Sequence, residues 1–205
     1  MKERSRKGFT LVELLIVIVV IGILSAMMML SSTEAVSTAR ANNIISNLRN
    51  LKTATLAWYT DNLDRVVIDR GQKQVKVLKP DGSTLGEFGQ EGVVTIGDIL
   101  KYMGNTGLVV SGKTNQSQQV AAKDNLGGMY TLDYKDKGMK WFVVYQMPKN
   151  DIRIEEKLEG RAKSVGLWIS YPGKGHMQAY TAKGKEDGGK SISMYPAMLV
   201  LDFSQ

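Results

Sequence analysis

The 22 residues from Phe9 to Leu30 carry no charge except Glu13. At about 1.5 Å per residue, such a run makes roughly 33 Å of helix, enough to cross a hydrocarbon core of about 30 Å. Beyond Leu30 the pattern changes but helical spacing continues. Val36, Ala39, Ile44, Ile45, Leu48, Leu51, Thr55 and Tyr59 share one broad face, and Arg40, Asn43, Asn47 and Arg49 fall largely elsewhere. No proline occurs before Pro80, and Asp61-Asn62 makes a stop. The pattern predicts one helix over about residues 9–60, roughly 75–80 Å long. Its first half is apolar all round, and its second half needs cover along one side. The stripe is not a sustained heptad, so a coiled-coil dimer fits it poorly.

Residues 62–205 are glycine-rich and carry alternating segments. Ser83 to Gly92 reads as loop, and Thr95 to Met103 as a short helix with Asp98 completing a capping box. The clearest hairpin pairs Met129–Tyr134 with Met139–Met147 across Lys135-Asp136-Lys137-Gly138. A second short helix spans about Ile152 to Lys163, with Ile154, Leu158 and Ala162 at spacing four. Its acids Glu155 and Glu156 come early and its bases Arg161 and Lys163 late, as the helix dipole favours. Strands are expected at Val165–Tyr171, Met177–Ala182 and Ala197–Phe203. The fold class is therefore α+β: a long amino-terminal helix packed on a mainly antiparallel sheet of four or more strands, which buries the stripe. Trp58, Trp141 and Trp168 are expected to pack that sheet against the helix.

Charge and composition narrow the function. There is no cysteine, hence no disulfide, thiolate nucleophile or zinc-thiolate site, and the single histidine, His176, excludes a multi-histidine metal centre. Of the formal +7, residues 1–8 hold +3 through Lys2, Arg4, Arg6 and Lys7 against Glu3, leaving +4 for the rest. A surplus that small gives little support to a nucleic-acid partner. The basic cluster ahead of the apolar run keeps residues 1–8 cytoplasmic and sends the remainder outside the inner membrane. The run is too long for a secretory signal peptide, and SAMMMLSST is a poor cleavage region.

An ordinary signal anchor gives no reason for Glu13. A carboxylate deep in a bilayer costs about 2.5–3.5 kcal/mol on insertion scales, and such residues are functional by default. A positive partner within the membrane or an assembly offsets that cost. One candidate is a free α-ammonium, released if the chain is cut just before Phe9, where Gly8 offers a bond without a side chain.

These residues, Lys7-Gly8-Phe9-Thr10-Leu11-Val12-Glu13 followed by an apolar helix, resemble the processing signature of type IV pilin-like proteins, both type IV pilins and type II secretion pseudopilins. The resemblance covers about residues 1–60. It implies a leader of residues 1–8 removed by a prepilin peptidase between Gly8 and Phe9, followed by N-methylation of Phe9. It also implies pairing of Glu13 with a neighbouring subunit's terminal amine, and methylation keeps that amine charged. The segments would then be a membrane and filament-core helix over 9–30, its amphipathic continuation over 31–61, and an external globular domain over 62–205. The implied partners are other pilin-like subunits, the peptidase, an assembly platform and motor, and inner-membrane lipid. The location is a bacterial inner membrane and then a periplasmic or extracellular filament. Family helices commonly have a glycine, matched by Gly22, and a proline eight residues on, where this sequence has Leu30. Without proline no missing donor or ring clash kinks the helix.

Other motifs carry less. Gly107 to Thr114 and Gly184 to Ser191 both match the phosphate-loop spacing, but the first is filled by strand-like Leu108, Val109 and Val110. The second leaves no room for the helix that must follow. Gly173-Lys-Gly175 lacks the third glycine of a dinucleotide fingerprint, with Gln178 in its place. Glu186 and Asp187 among three lysines make a poor calcium loop for an ion needing six to eight oxygens. His176, beside Pro172-Gly173-Lys174-Gly175, is a loop or strand-start residue. No catalytic residues, metal ligands or cofactor are singled out, so the chain reads as a structural subunit and not an enzyme. The alternative is a membrane-anchored extracytoplasmic binding domain, such as a minor pilin for adhesion or DNA uptake. Lack of cysteine removes the disulfide-bounded loop of many type IV pilins, and lack of a calcium loop argues against a typical major pseudopilin.

Overall fold

In a computed structural model, which describes residues 9–104, 107–113, 120–148, 151–170, 177–179 and 195–204, helix α1 runs unbroken over Leu11–Asp61. Its 51 residues make a rod of roughly 77 Å. It passes Leu30 without interruption. Serine and threonine hydroxyls bond back to the preceding turn and do not open it: Ser32 Oγ to the Met29 carbonyl at 3.0 Å, and Thr55 Oγ1 to that of Leu51 at 2.8 Å.

Cover on α1 begins at Ser37 and continues through Ala41, Ile44, Ile45, Leu48, Leu51, Ala54, Thr55 and Trp58. Each of Ile44, Leu48 and Leu51 is at most 1% exposed, and each such burial stabilises by about 1.5–3 kcal/mol. Two residues expected on the stripe are not covered. Val36 is 49% exposed because it precedes the covered segment, and Ala39 is exposed because it lies off the buried face.

The cover is a seven-stranded sheet. Its strands are β4 (Val109–Lys113), β5 (Val120–Lys123), β6 (Met129–Lys135), β7 (Lys140–Gln146), β8 (Leu167–Ser170), β9 (Met177–Ala179) and β10 (Tyr195–Asp202), in the order β4-β5-β6-β7-β10-β8-β9. Every neighbouring pair is antiparallel. The expected hairpin is β6–β7, in register from Met129 opposite Gln146 to Lys135 opposite Lys140. Those two facing lysines are each answered by an acid at 3.1 Å, Asp133 and Asp136.

Alternation sorts the two faces. Trp141, Val143, Tyr145, Leu167, Ile169 and Met198 join the core under α1. Phe142, Val144 and Ala197 form a second cluster on the other face, with Trp168, Tyr195 and Leu199 against it. Trp58 and Trp141 therefore do pack sheet to helix, but Trp168 does not. It is one residue out of phase with Leu167 and Ile169, and its ring meets Phe142 at 5.8 Å. In β10 both Val200 and Leu201 reach the helix side, because the register shifts between Leu199 and Leu201.

Two short helices close the sides. α2 (Ile96–Leu100) carries the expected Thr95–Asp98 capping box. α3 (Ile152–Val165) buries Ile154, Leu158 and Ala162, starts on the Asp151 side chain and stops at left-handed Gly166. It is tied to α1 by Lys157 Nζ to Glu34 Oε1 at 2.7 Å and by Arg161 donating to Asn42. A separate three-stranded sheet, β1 (Val66–Asp69), β2 (Gln74–Leu78) and β3 (Leu85–Gly86), stands at the end of α1. Neither it nor β5 was expected from the sequence.

Candidate functional site

The amino end of α1 is where the sequence places the chemistry. Thr10 is the N-cap, with extended backbone (φ −81°, ψ 150°). Its N–H and its hydroxyl both donate to Glu13 Oε2, at 2.8 and 2.7 Å, and the Glu13 N–H donates to Thr10 Oγ1 at 3.3 Å. This is a complete capping box, in which side chain and backbone satisfy one another's orphan donors. Both bonds to the carboxylate fall on one oxygen, so Glu13 Oε1 has no partner among the described residues.

Thr10 is the site residue that spacing analysis passed over. Its signal is the T-x-x-E interval itself, masked because the apolar run invites a membrane reading first. Phe9 lies immediately before the cap and is 85% exposed. It takes no part in the box. Gly8, on the far side of the expected cut, lies outside the described residues.

Downstream of the box, every described large apolar side chain from Leu11 to Met29 is about half exposed or more. An exposed apolar band of that extent requires a cover from outside the chain, either lipid or other helices. α1 is long and apolar enough to cross a membrane.

The other sequence candidates stay apart from this end. Within Gly107 to Lys113, Val109–Lys113 form β4, paired with β5 from Val109 opposite Lys123 to Lys113 opposite Val120. An extended, paired strand cannot curl its N–H groups around a phosphate. Thr114, Gly173, Gly175, His176, Gly184 to Ser191, and with them Glu186 and Asp187, lie outside the described residues. Gln178 is in β9. Among the described residues no three His, Cys, Asp or Glu side chains gather as metal ligands would.

Residues 4–29 match the family described as the prokaryotic N-terminal methylation motif, the signature of type IV pilins and pseudopilins. No curated protein and no solved structure matches the chain.

Proposed function

From an amino end of pilin-like, prepilin-processed type on a membrane-anchoring helix, we propose that this chain is a structural subunit of a helical filament, either a type IV pilus or a type II secretion pseudopilus. A prepilin peptidase removes residues 1–8, cutting between Gly8 and Phe9, and Phe9 is N-methylated. Residues 9–30 hold the processed protomer in the inner membrane until a platform and motor draw it into the filament. Residues 31–61 carry the external domain, 62–205.

One observation carries the reading: the Glu13 carboxylate is held by Thr10 through a single oxygen at the head of an exposed apolar helix. The capping box fixes the side chain's direction and leaves Oε1 to accept from the terminal ammonium of a neighbouring subunit. An ion pair whose one member is already oriented loses less entropy on forming than one between two free side chains. In the apolar surroundings of a filament core, an unpaired carboxylate would be strongly disfavoured, so the pair also sets register.

Intact mass and amino-terminal sequencing of the protein from its native membrane test the processing steps. Loss of residues 1–8 with a methyl group on Phe9 is expected, and an intact amino terminus in a peptidase-competent cell would overturn them.

A further inference from the structure

At the end of α1 opposite Phe9, three chain segments line an open cavity of about 590 Å³. The β1–β2 turn contributes Arg70, Gln72 and Lys73. The β6–β7 turn contributes Asp136, Lys137 and Met139, and the tail after β10 contributes Phe203 and Ser204. Backbone bonds lock these segments together: the Val75 N–H donates to the Lys137 carbonyl at 3.0 Å, and the Phe203 N–H to the Met139 carbonyl at 2.8 Å. The turns touch so closely at Gly138 that a Cβ there would lie 2.1 Å from the Val75 carbonyl oxygen. The cradle is thus formed before any ligand arrives.

Charge and backbone conformation single this cavity out independently. Arg70, Lys73 and Lys137 make no ion pair among the described residues, whereas Asp136 is engaged by Lys140 Nζ at 3.1 Å. The described chain has three non-glycine residues in the left-handed region: Lys73 (φ 49°), Asp136 (φ 53°) and Lys137 (φ 56°). All three line this cavity. Hairpin turns require that conformation, but glycine or asparagine supplies it with less strain than lysine. Strained residues of this kind cluster at binding sites.

We propose that the cavity binds a phosphoryl group. Three cations with no ion pair among the described residues exceed what one carboxylate needs and suit a group of about −1.5 to −2 charge. The planar fork of Arg70 matches phosphate oxygens, and the Gln72 amide adds a neutral donor. Met139 and Phe203 offer an apolar wall to whatever body carries the phosphate. The Phe203 ring lies 5.7 Å from Tyr59, and Tyr59 is 48 residues along α1 from Leu11, roughly 72 Å. A bilayer core of about 30 Å leaves the cavity some 40 Å beyond it, so the headgroups of the anchoring membrane are out of reach. The proposal requires only the folded domain and stands apart from the filament reading.

The test uses the full chain in neutral detergent at about 150 mM salt, where exposed charges are screened beyond about 8 Å. Binding of inorganic phosphate, adenosine monophosphate and succinate is measured by equilibrium dialysis. Saturable binding of phosphate or the nucleotide, with succinate at least tenfold weaker, is expected. Tighter nucleotide than phosphate binding identifies a phosphate ester as the source, and equal binding identifies free phosphate. The double change Lys73→Asn with Lys137→Asn keeps residues that accept the left-handed conformation and should weaken binding at least tenfold. Arg70→Gln, at a position without positive φ, should do the same if the double variant does not fold. Lack of saturable binding up to millimolar concentrations, succinate binding as tight as phosphate, or unchanged affinity in the folded variants would each overturn the site.

Discussion

The guanidinium of Arg65 lies 5.5 Å over the ring of Trp58. From that position it donates to three separate segments: Asn62 Oδ1 at 2.8 Å, the Leu78 carbonyl at 2.8 and 3.2 Å, and the Val93 carbonyl at 2.9 Å. One side chain thereby fastens the end of α1 to β2 and to the loop before α2. Its Trp58 partner is a core residue, 3% exposed, whose ring meets Trp141 at 6.2 Å.

Arg65→Lys should therefore not behave as a conservative change. A single ammonium cannot span two carbonyls and an amide while stacking on an indole. Because Arg65 is only half-buried, losing two of its hydrogen bonds is expected to cost about 1–3 kcal/mol. Thermal unfolding monitored by circular dichroism should move down by roughly 3–10 °C for a domain of this size. An unchanged midpoint would show that the carbonyls find water instead.

Gly138 and Gly166 both have positive φ, 84° and 68°, yet should respond very differently to alanine. At Gly138 the new Cβ would collide with backbone, whereas nothing lies within 4 Å of one at Gly166. Gly166→Ala should cost about 1 kcal/mol, the left-handed penalty alone. Gly138→Ala adds a steric clash and should cost roughly 3 kcal/mol or more. Urea unfolding of the two variants compares them directly, and equal losses would mean that the turns part readily.

At the base of the domain, the hydrogen bond from Lys157 and its charge hold Glu34 below the ordinary carboxylate range. A carboxyl group depressed on folding contributes stability that is present at neutral pH and is lost as pH falls through its folded value. The tie between α3 and α1 should thus survive to below pH of about 4.3, where a free glutamate is half protonated. Nuclear magnetic resonance titration of the Glu34 carboxyl carbon should give a lower midpoint in the wild type than in Lys157→Gln. Coincident midpoints would mean that the bond is not kept in solution.

At the amino end, Glu13→Ala should abolish filament assembly while leaving a folded, membrane-inserted protein. Thr10→Val keeps the backbone N–H bond to the carboxylate and removes both hydroxyl contacts. Its filament yield, counted by electron microscopy of sheared material, should fall between wild type and Glu13→Ala. Normal assembly of Glu13→Ala would defeat the pairing model, and wild-type yield from Thr10→Val would restrict the cap to local helix stability.

Legibility in the sequence followed the strength of the periodic signal. α1, the β6–β7 hairpin and α3 were readable because long apolar patterns of period 3.6 or 2 leave few alternatives. The β1–β3 sheet was missed because its buried residues, Val75 and Val77, sit between Gln74, Lys76 and a charged turn. Four residues of β5 are too few to establish a period. Trp168, expected on the helix side with Trp58 and Trp141, faces the other way, as its parity with Leu167 and Ile169 dictates. Val36 shows the reverse limit, because helical periodicity continues past the point where tertiary cover stops, whereas Ala39 lies within the covered stretch but off its buried face. At the site, Glu13 stood out because a lone charge in an apolar run is costly, but its cap partner Thr10 looked like any polar residue at a boundary. The phosphoryl cavity has no local signal at all, because two turns whose nearest lining residues, Lys73 and Asp136, are 63 apart in sequence converge with the tail only through sheet pairing.

The unbroken passage of α1 through Leu30 bears on how an assembled fibre would take load. A proline at that place would supply a joint that can unwind and lengthen under tension. Here the backbone ladder runs from the Thr10 cap to Asp61 without such a joint. Pulling on the distal pole would be transmitted to the anchoring stem along one stiff strut. A fibre of these subunits should resemble a piston rod more than a spring, pushing well and stretching little before its subunits slide apart.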